Sequence, residues 1–185
     1  MRGGLDTPMP FPESFNFAFL ATLGAFLGIA TVGGLDAALN KKEIIDSPVL
    51  LASFGASAVL LFSVPESKLS QPVNFIGGQM LSAAVGATVR LALSPDRGVP
   101  HWLTAAVGVA ATVLLMMLTS TTHPPGGATA LIAATASKPA PWHGYRLVFS
   151  VGVGCLGMQA VALLTNNLHR GRRYPSRWIG VRGLP

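Results

Sequence analysis

Residues 98–137 read GVPHWLTAAVGVAATVLLMMLTSTTHPPGGATALIAATAS, a stretch of 40 residues without aspartate, glutamate, lysine or arginine. A helix that crosses the hydrocarbon core of a membrane needs about 20 predominantly apolar residues, so the stretch has room for two crossings. The proline pair at 124–125 interrupts it. Proline lacks a backbone N–H and clashes with the preceding turn inside a helix, yet it suits the first helical positions. The sequence therefore predicts that a new helix begins here, within the apolar stretch.

Four further intervals also lack charged residues and are 19 to 23 residues long, at 14–35, 47–65, 69–89 and 147–169. Only 11% of the 185 residues are charged, whereas soluble domains carry about a quarter. A chain this short cannot cover five such segments with polar surface, so we interpret it as a membrane protein. Its apolar content also excludes intrinsic disorder. The single cysteine, Cys155, excludes an intrachain disulfide scaffold.

The expected fold is an all-α membrane protein with four transmembrane helices, at about 14–38, 71–93, 101–119 and 145–168, plus two short interrupted or re-entrant half-helices, at about 48–64 and 124–137. The alternative is six spans arranged as two three-helix repeats. We divide the chain into an N-terminal lead (1–13), a single transmembrane domain (14–168) and a basic cytoplasmic tail (169–185).

An internal repeat is visible around the two short segments. Residues 55–61 read GASAVLL and residues 127–133 read GATALIA, which match in character at a constant offset of 72 residues. Each short segment lies between two long apolar ones, so the repeat copies would cover about 14–93 and 101–168. Interrupted segments at equivalent places in two repeats are typical of transporters that bind substrate near the membrane midplane.

The helix start at the proline pair is the strongest candidate for a site. The first N–H groups of a helix have no intrahelical partner, and inside a membrane they are tolerated only where they line a cavity or are buried in protein. The positive end of the helix dipole attracts anions, and glycine lets a ligand approach the backbone. We expect two half-helix N-termini to converge on a small anion. The candidate binding residues are Ser53, Gly55, Ala56, Ser57, Thr122, His123, Gly126, Gly127, Ala128 and Thr129.

Several polar residues have more than one interpretation. His123 could bond the ligand, bond a backbone carbonyl or carry a proton, while the motif of His123, Pro124 and Pro125 could also only kink a span. Ser53 with His123 is conceivable as a nucleophile and base, although no third orienting group is apparent, so we expect no enzyme. No metal site is expected, because the histidines lack zinc-ligand spacing. The polar residues within or at the ends of the helices line a pathway or bond neighbouring helices: Asn74, Gln79, Gln159, Asn166 and Asn167.

The chain resembles a known family in four strings of residues: LTSTTHPPGGATAL at 118–131, SFGASAVLLFSVPES at 53–67, QPVNFIGG at 71–78 and NNLHRGRRYP at 166–175. The first of these is similar to the signature of the HPP family of integral membrane proteins. The resemblance implies a compact bundle usually described with four spans. Through plant chloroplast-envelope and cyanobacterial relatives, it also implies nitrite transport. Many members have alanine where this chain has Gly126.

Counting positive residues does not settle the topology. Six crossings place seven basic residues on the cytoplasmic side and six on the other, whereas re-entrant half-helices give eight and five, which favours four spans. Most of the net charge of +6 comes from five arginines after residue 169, so we expect contact with anionic lipid and not with nucleic acid. We expect an anion transporter or channel in a bacterial inner membrane. We expect no cofactor, and a homodimer is one arrangement compatible with the small residues on the helix faces. A non-transporting scaffold or assembly protein and, less favoured, an intramembrane enzyme are the alternatives.

Overall fold

The computed structural model describes residues 11–42, 47–93, 97–136 and 145–176, which contain helices and no strand. The helices are α1 (Phe11–Lys41), α2 (Ser53–Ser63), α3 (Gly78–Ala92), α4 (His101–Leu118), α5 (Pro124–Thr135) and α6 (Arg146–Thr165). A short 3-10 turn (Lys68–Ser70) and a π-helical segment (Val73–Gly77) precede α3. Residues 1–10 of the predicted lead (1–13), residue 137 at the end of the predicted half-helix, and residues 177–185 of the predicted tail lie outside the described residues, whereas residues 11–13 belong to α1.

The lengths of the helices confirm the expected fold class. Four helical segments are long and apolar enough to cross a membrane: Phe15–Lys41, Val73–Ala92, His101–Leu118 and Arg146–Thr165. By contrast, α2 has 11 residues and α5 has 12. At 1.5 Å per residue these short helices are only about 17–18 Å long, against a hydrocarbon core of about 30 Å. Each short helix can therefore cover only part of the thickness of the hydrocarbon core, and non-helical chain must cover the rest.

The start of α2 lies five residues later than the sequence indicated, because residues 47–52 are not helical. The Asp36 carboxylate in α1 accepts a hydrogen bond from the backbone N–H of Val49 at 2.6 Å. Ser47 forms a side-chain hydrogen bond with Ser150 in α6. These bonds supply partners for polar groups of a segment that cannot satisfy itself as a helix does. The chain consequently enters the bundle in non-helical form and becomes helical only at Ser53.

The contacts between elements show the direction of each passage. The tail after α6 lies against the 3-10 turn that follows α2, since the Tyr174 hydroxyl donates to the Ser70 carbonyl at 2.8 Å. We call this the tail end of the bundle. At the opposite end, the Thr88 hydroxyl in α3 lies 2.9 Å from the Tyr145 hydroxyl, directly before α6. A Cβ on Gly24, early in α1, would touch Phe62 and Thr165, which places the start of α1 at the tail end.

Read from end to end, the chain passes through the bundle six times. α1 runs from the tail end to the opposite end, and α2 runs back to the tail end. α3 then leads to the opposite end, where Thr104 at the start of α4 donates to the Leu93 carbonyl at 2.6 Å. α5 finishes at that same end, where Arg90 donates to the Ala136 carbonyl at 2.8 Å. The two short helices are thus halves of interrupted passages, as in the six-span alternative, and each leaves the bundle at the end opposite to its entry.

This arrangement predicts which loops share a side of the membrane. On a Cys155→Ala background, Lys68→Cys and Arg173→Cys should react with an impermeant maleimide from one side, and Arg97→Cys from the other. Cys155 is the only cysteine and is buried, so its removal leaves the introduced thiol alone. Labelling of Arg97→Cys from the same side as Arg173→Cys would contradict six passages and favour re-entrant half-helices.

Candidate functional site

The first turns of α2 and α5 meet side by side in the middle of the bundle. Ser57, one turn into α2, lies 2.9 Å from Nε2 of His123, which immediately precedes α5. Ser53, at the start of α2, lies 2.7 Å from Oγ1 of Thr129, in the second turn of α5. Because α2 advances from 53 to 57 while its partners retreat from 129 to 123, the two helices run antiparallel. The expected convergence of the two helix starts is present, and the starts overlap instead of meeting tip to tip.

Five side chains form a continuous hydrogen-bond chain at this place. Nδ1 of His123 lies 2.8 Å from the Leu69 carbonyl, which only accepts, so this nitrogen carries the proton and Nε2 accepts from Ser57. The amide nitrogen of Gln79 donates to Ser57 at 2.9 Å. Thr129 donates to the amide oxygen of Gln79. A hydroxyl has one proton, so Ser53 donates to Thr129 in turn. We call Ser53, Ser57, Gln79, His123 and Thr129 the half-helix network.

The half-helix network has a single direction of donation and is buried, with no member more than 1% exposed. Hydrogen bonds in such a chain polarise and strengthen one another, whereas a buried polar group without a partner costs about 1–3 kcal/mol. The network therefore fixes the relative positions of α2, α3 and α5. The sequence predicted that Gln79 lines a pathway or bonds a neighbouring helix. In the structure, Gln79 bonds to both Ser57 in α2 and Thr129 in α5, and so joins the two predicted halves of the site. The sequence did not predict a role for the Leu69 carbonyl, because every residue has a backbone carbonyl and the side chain does not show which one accepts a bond.

The outward faces of α2 and α5 carry the small residues of the two motifs. Gly55, Ala56 and Ala128 are exposed, and Gly127 is half-buried. A Cβ built on Gly55 or Gly127 would meet nothing within 4 Å. Residues 53–62 and 125–134 share the same burial class at nine of ten equivalent positions, which fits the expected 72-residue repeat. The backbone of both helix starts is therefore open on one face of the bundle.

Gly126 faces the interior of the bundle, contrary to the prediction from the sequence. The sequence placed it with Gly127 as a glycine that lets a ligand approach the backbone. A Cβ at this position would instead lie 2.4 Å from the Ser82 hydroxyl and 3.1 Å from the Gly78 carbonyl oxygen, both in α3. One helical residue turns the side-chain direction by about 100°, so two adjacent glycines cannot face the same way. Gly126 allows α5 to pack closely on α3, and Gly127 alone of the pair faces outward.

The break before α5 is held by Asn74, in the π-helical segment. Its amide nitrogen donates to the Thr122 carbonyl at 2.9 Å and lies 3.4 Å from the Ser120 carbonyl. Thr122 itself is half-buried. The remaining pathway candidates, Gln159 and Asn166, lie near the tail end: the amide oxygen of Gln159 lies 3.0 Å from the Tyr174 hydroxyl, and Asn166 donates to the Leu61 carbonyl at 2.9 Å. These two are not part of the half-helix network. Asn167, at the same end, donates to the Leu163 and Tyr174 carbonyls.

The nucleophile and base considered from the sequence are not paired. His123 bonds to Ser57 and to Leu69, while Ser53 bonds to Thr129. Because the Ser53 hydroxyl points its proton into the network, its oxygen is not activated by the imidazole. The geometry of these side chains is that of a binding or positioning network.

The fold and the buried network define an integral membrane protein of the helical class, with two interrupted passages whose helical halves start in the bundle interior. The family described as "HPP, transmembrane region" matches residues 10–175. The chain belongs to the HPP family, as its sequence motifs indicated.

Comparison with curated proteins finds two relatives in Dictyostelium discoideum, each named as a transmembrane protein. One is 38% identical over 174 residues, covering 92% of this chain and 58% of the relative. The other is 39% identical over 180 residues, covering 96% of this chain and 55% of the relative. The chain thus spans little more than half the length of these relatives. No solved structure matches the chain.

Proposed function

We propose that the protein is a membrane transporter or channel for a small inorganic anion, bound at the outward-facing first turns of α2 and α5. The observation that carries this proposal is the pair of helix starts inside the bundle, fixed side by side by the half-helix network. The N–H groups of Gly55 and Gly126 already bond to backbone carbonyls, so the attraction comes from the positive ends of the two helix dipoles, which favour an anion without a buried lysine or arginine. An ion held by such dipoles keeps a weak enough affinity to leave again.

Nitrite is the first candidate for the transported anion, and it rests on the resemblance to the nitrite-transporting members of the family. The binding face fits a small, compact ion. Gly55, Ala56, Gly127 and Ala128 have little or no side chain, so an ion can reach the backbone from outside the network. His123, Ser53, Ser57 and Thr129 act here as positioning residues that hold this backbone in place.

The same face supports a homodimer. The first turns of α2 and α5 lie at membrane depth, where irregular backbone is tolerated only if protein covers it or if it lines a water-filled cavity. Small residues also allow close approach of helices from a second copy. A pathway enclosed between two copies would meet both conditions, and the molar mass of the purified protein by light scattering measures this arrangement.

We propose a bacterial inner membrane with the tail on its cytoplasmic face, on the basis of the charges in the tail. Five arginines after residue 169 favour the cytoplasmic face of a bacterial inner membrane, where anionic lipids attract basic segments. With six passages, the N-terminus, Lys68 and the tail share that face.

The proposal is tested by flux into liposomes that contain the purified protein. Nitrite, nitrate, formate, bicarbonate and chloride are presented separately under the same imposed gradient, with protein-free liposomes as the control. We expect protein-dependent flux of small anions, with nitrite among the fastest. A protein that moves none of the five above the rate of empty liposomes would refute the proposal and leave a scaffold function as the alternative.

A further inference from the structure

The tail contains a buried arginine that the half-helix network does not use. Arg172 is 2% exposed, although the sequence places it among the basic residues of a solvated tail. One Nη2 proton is donated to the Phe62 carbonyl, in the last turn of α2. The guanidinium carbon lies 4.1 Å from the centre of the Phe17 ring. A cation at a helix C-terminus and over an aromatic face is favourable, so these contacts explain why the side chain folds inward.

These contacts leave much of the guanidinium group unsatisfied. Nε and Nη1 of Arg172 are buried and have no hydrogen-bond partner within the described part of the chain, where no carboxylate pairs with it either. Burying a cation without a counter-charge costs several kcal/mol. The loss of hydration lowers the pKa of Arg172 from its ordinary value. Among the described residues, the side chain thus presents a positive charge without a paired carboxylate, together with free donors.

Two amides nearby have unsatisfied atoms as well. Nε2 of Gln159 and Oδ1 of Asn166 are buried without partners among the described residues; the first is a donor that an oxyanion can use, whereas the second only accepts hydrogen bonds. Asn166 donates to the Leu61 carbonyl, the neighbour of the carbonyl that Arg172 uses. The hydroxyl of Tyr174, two residues after Arg172, lies 3.0 Å from Oε1 of Gln159. We call Gln159, Asn166, Arg172 and Tyr174 the tail cluster.

An open groove lies beside the tail cluster. It has a volume of about 750 Å³, and its walls include Phe17, Ser63, His169 and Gly171, together with one acidic residue, Glu66. Phe17 is both a wall of this groove and the ring that covers the guanidinium group. The groove and the guanidinium group therefore share Phe17 as a common neighbour.

We propose that the tail cluster binds an oxyanion group, with Arg172 supplying the counter-charge and its free N–H groups as donors. Planar or tetrahedral oxyanions match the guanidinium donors in geometry, and charge-assisted hydrogen bonds are about twice as strong as neutral ones. The site lies at the tail end, away from the first turns of α2 and α5. It does not depend on transport, because an ion bound here stabilises the fold whether or not it moves across the membrane.

The test is the melting temperature of the detergent-purified protein as anions are added at constant ionic strength. Sodium nitrite and sodium phosphate are compared with sodium chloride, and phosphatidylglycerol is compared with phosphatidylcholine in a parallel arm. We expect an oxyanion-dependent rise of about 3 °C or more at saturation. A rise with the free ions identifies an inorganic ligand. A rise with phosphatidylglycerol alone identifies a lipid phosphate at the same site.

The variants separate a ligand site from a structural cap. Arg172→Gln should lose the rise, whereas Arg173→Gln, at the exposed neighbouring residue, should keep it. If Arg172→Gln does not fold, Arg172→Lys retains the charge and a donor but not the fork, and should weaken the apparent affinity by about tenfold. The proposal would be overturned if oxyanions did not raise the melting temperature of the wild type. It would also be overturned if they raised the melting temperatures of Arg172→Gln and Arg172→Lys as much as that of the wild type. Flux without a rise would refute the tail site alone, and a rise without flux would refute only the transport function.

Discussion

Gly86→Leu is expected to be the most destabilising single substitution in the interface between α3 and α5. A Cβ at this position would lie 2.6 Å from the Ala130 carbonyl oxygen, 2.6 Å from the Ala133 Cβ and 3.0 Å from the Ala130 Cα. Two of these are backbone atoms, which cannot move aside without displacing α5. Overpacking a core costs about 1–3 kcal/mol even where side chains can adjust, so a full leucine here should cost more. The melting temperature in detergent measures the loss.

The matched control is Gly34→Leu in α1, where a Cβ would meet nothing within 4 Å. This glycine is exposed on the helix surface, so leucine should keep or slightly raise the melting temperature, because leucine has a higher helix propensity than glycine. Equal melting temperatures for the two variants would show that α5 does not pack on α3 as described.

The positions of the helices could be predicted from the intervals without charge, together with the proline pair that divides α4 from α5. Intervals without Asp, Glu, Lys or Arg marked all six segments, since a charged side chain is costly in the hydrocarbon core. The start of α5 was predicted correctly to the residue, because Pro124 and Pro125 fit only the first turn of a helix. The start of α2 was predicted less well. Its non-helical lead depends on Asp36, which is 13 residues from Val49 in sequence, and such a bond has no local signature.

The sequence did not show in which direction each segment crosses the bundle, or whether single residues point into the bundle or away from it. The positive residues divide seven to six across the six-passage bundle, so the positive-inside rule has almost no contrast to act on. Gly126 and Gly127 both lie in a stretch without polar and apolar alternation, so periodicity does not tell inward from outward. Arg172 is similar: in sequence it is one of five tail arginines, and only the fold shows that it is buried.

Gly127→Leu is expected to block transport without damaging the fold. The structure leaves open space around this position, so leucine can be accommodated where it would clash at Gly126 or Gly86. The added side chain would cover the backbone of the first turn of α5, where the proposed anion binds. Losing that approach should reduce nitrite flux by at least about tenfold, which corresponds to about 1.4 kcal/mol of lost interaction.

Anion binding at the first turn of α5 is tested by nitrite flux into liposomes that contain equal amounts of wild type, Gly127→Leu or Gly34→Leu. The melting temperature of each protein shows beforehand that it is folded. Both substitutions place the same side chain in open space, and they differ in whether that space lies over a half-helix start. We expect normal flux for the wild type and Gly34→Leu, and at most about a tenth of that flux for Gly127→Leu. Folded Gly127→Leu protein that transports nitrite at the wild-type rate would contradict this expectation.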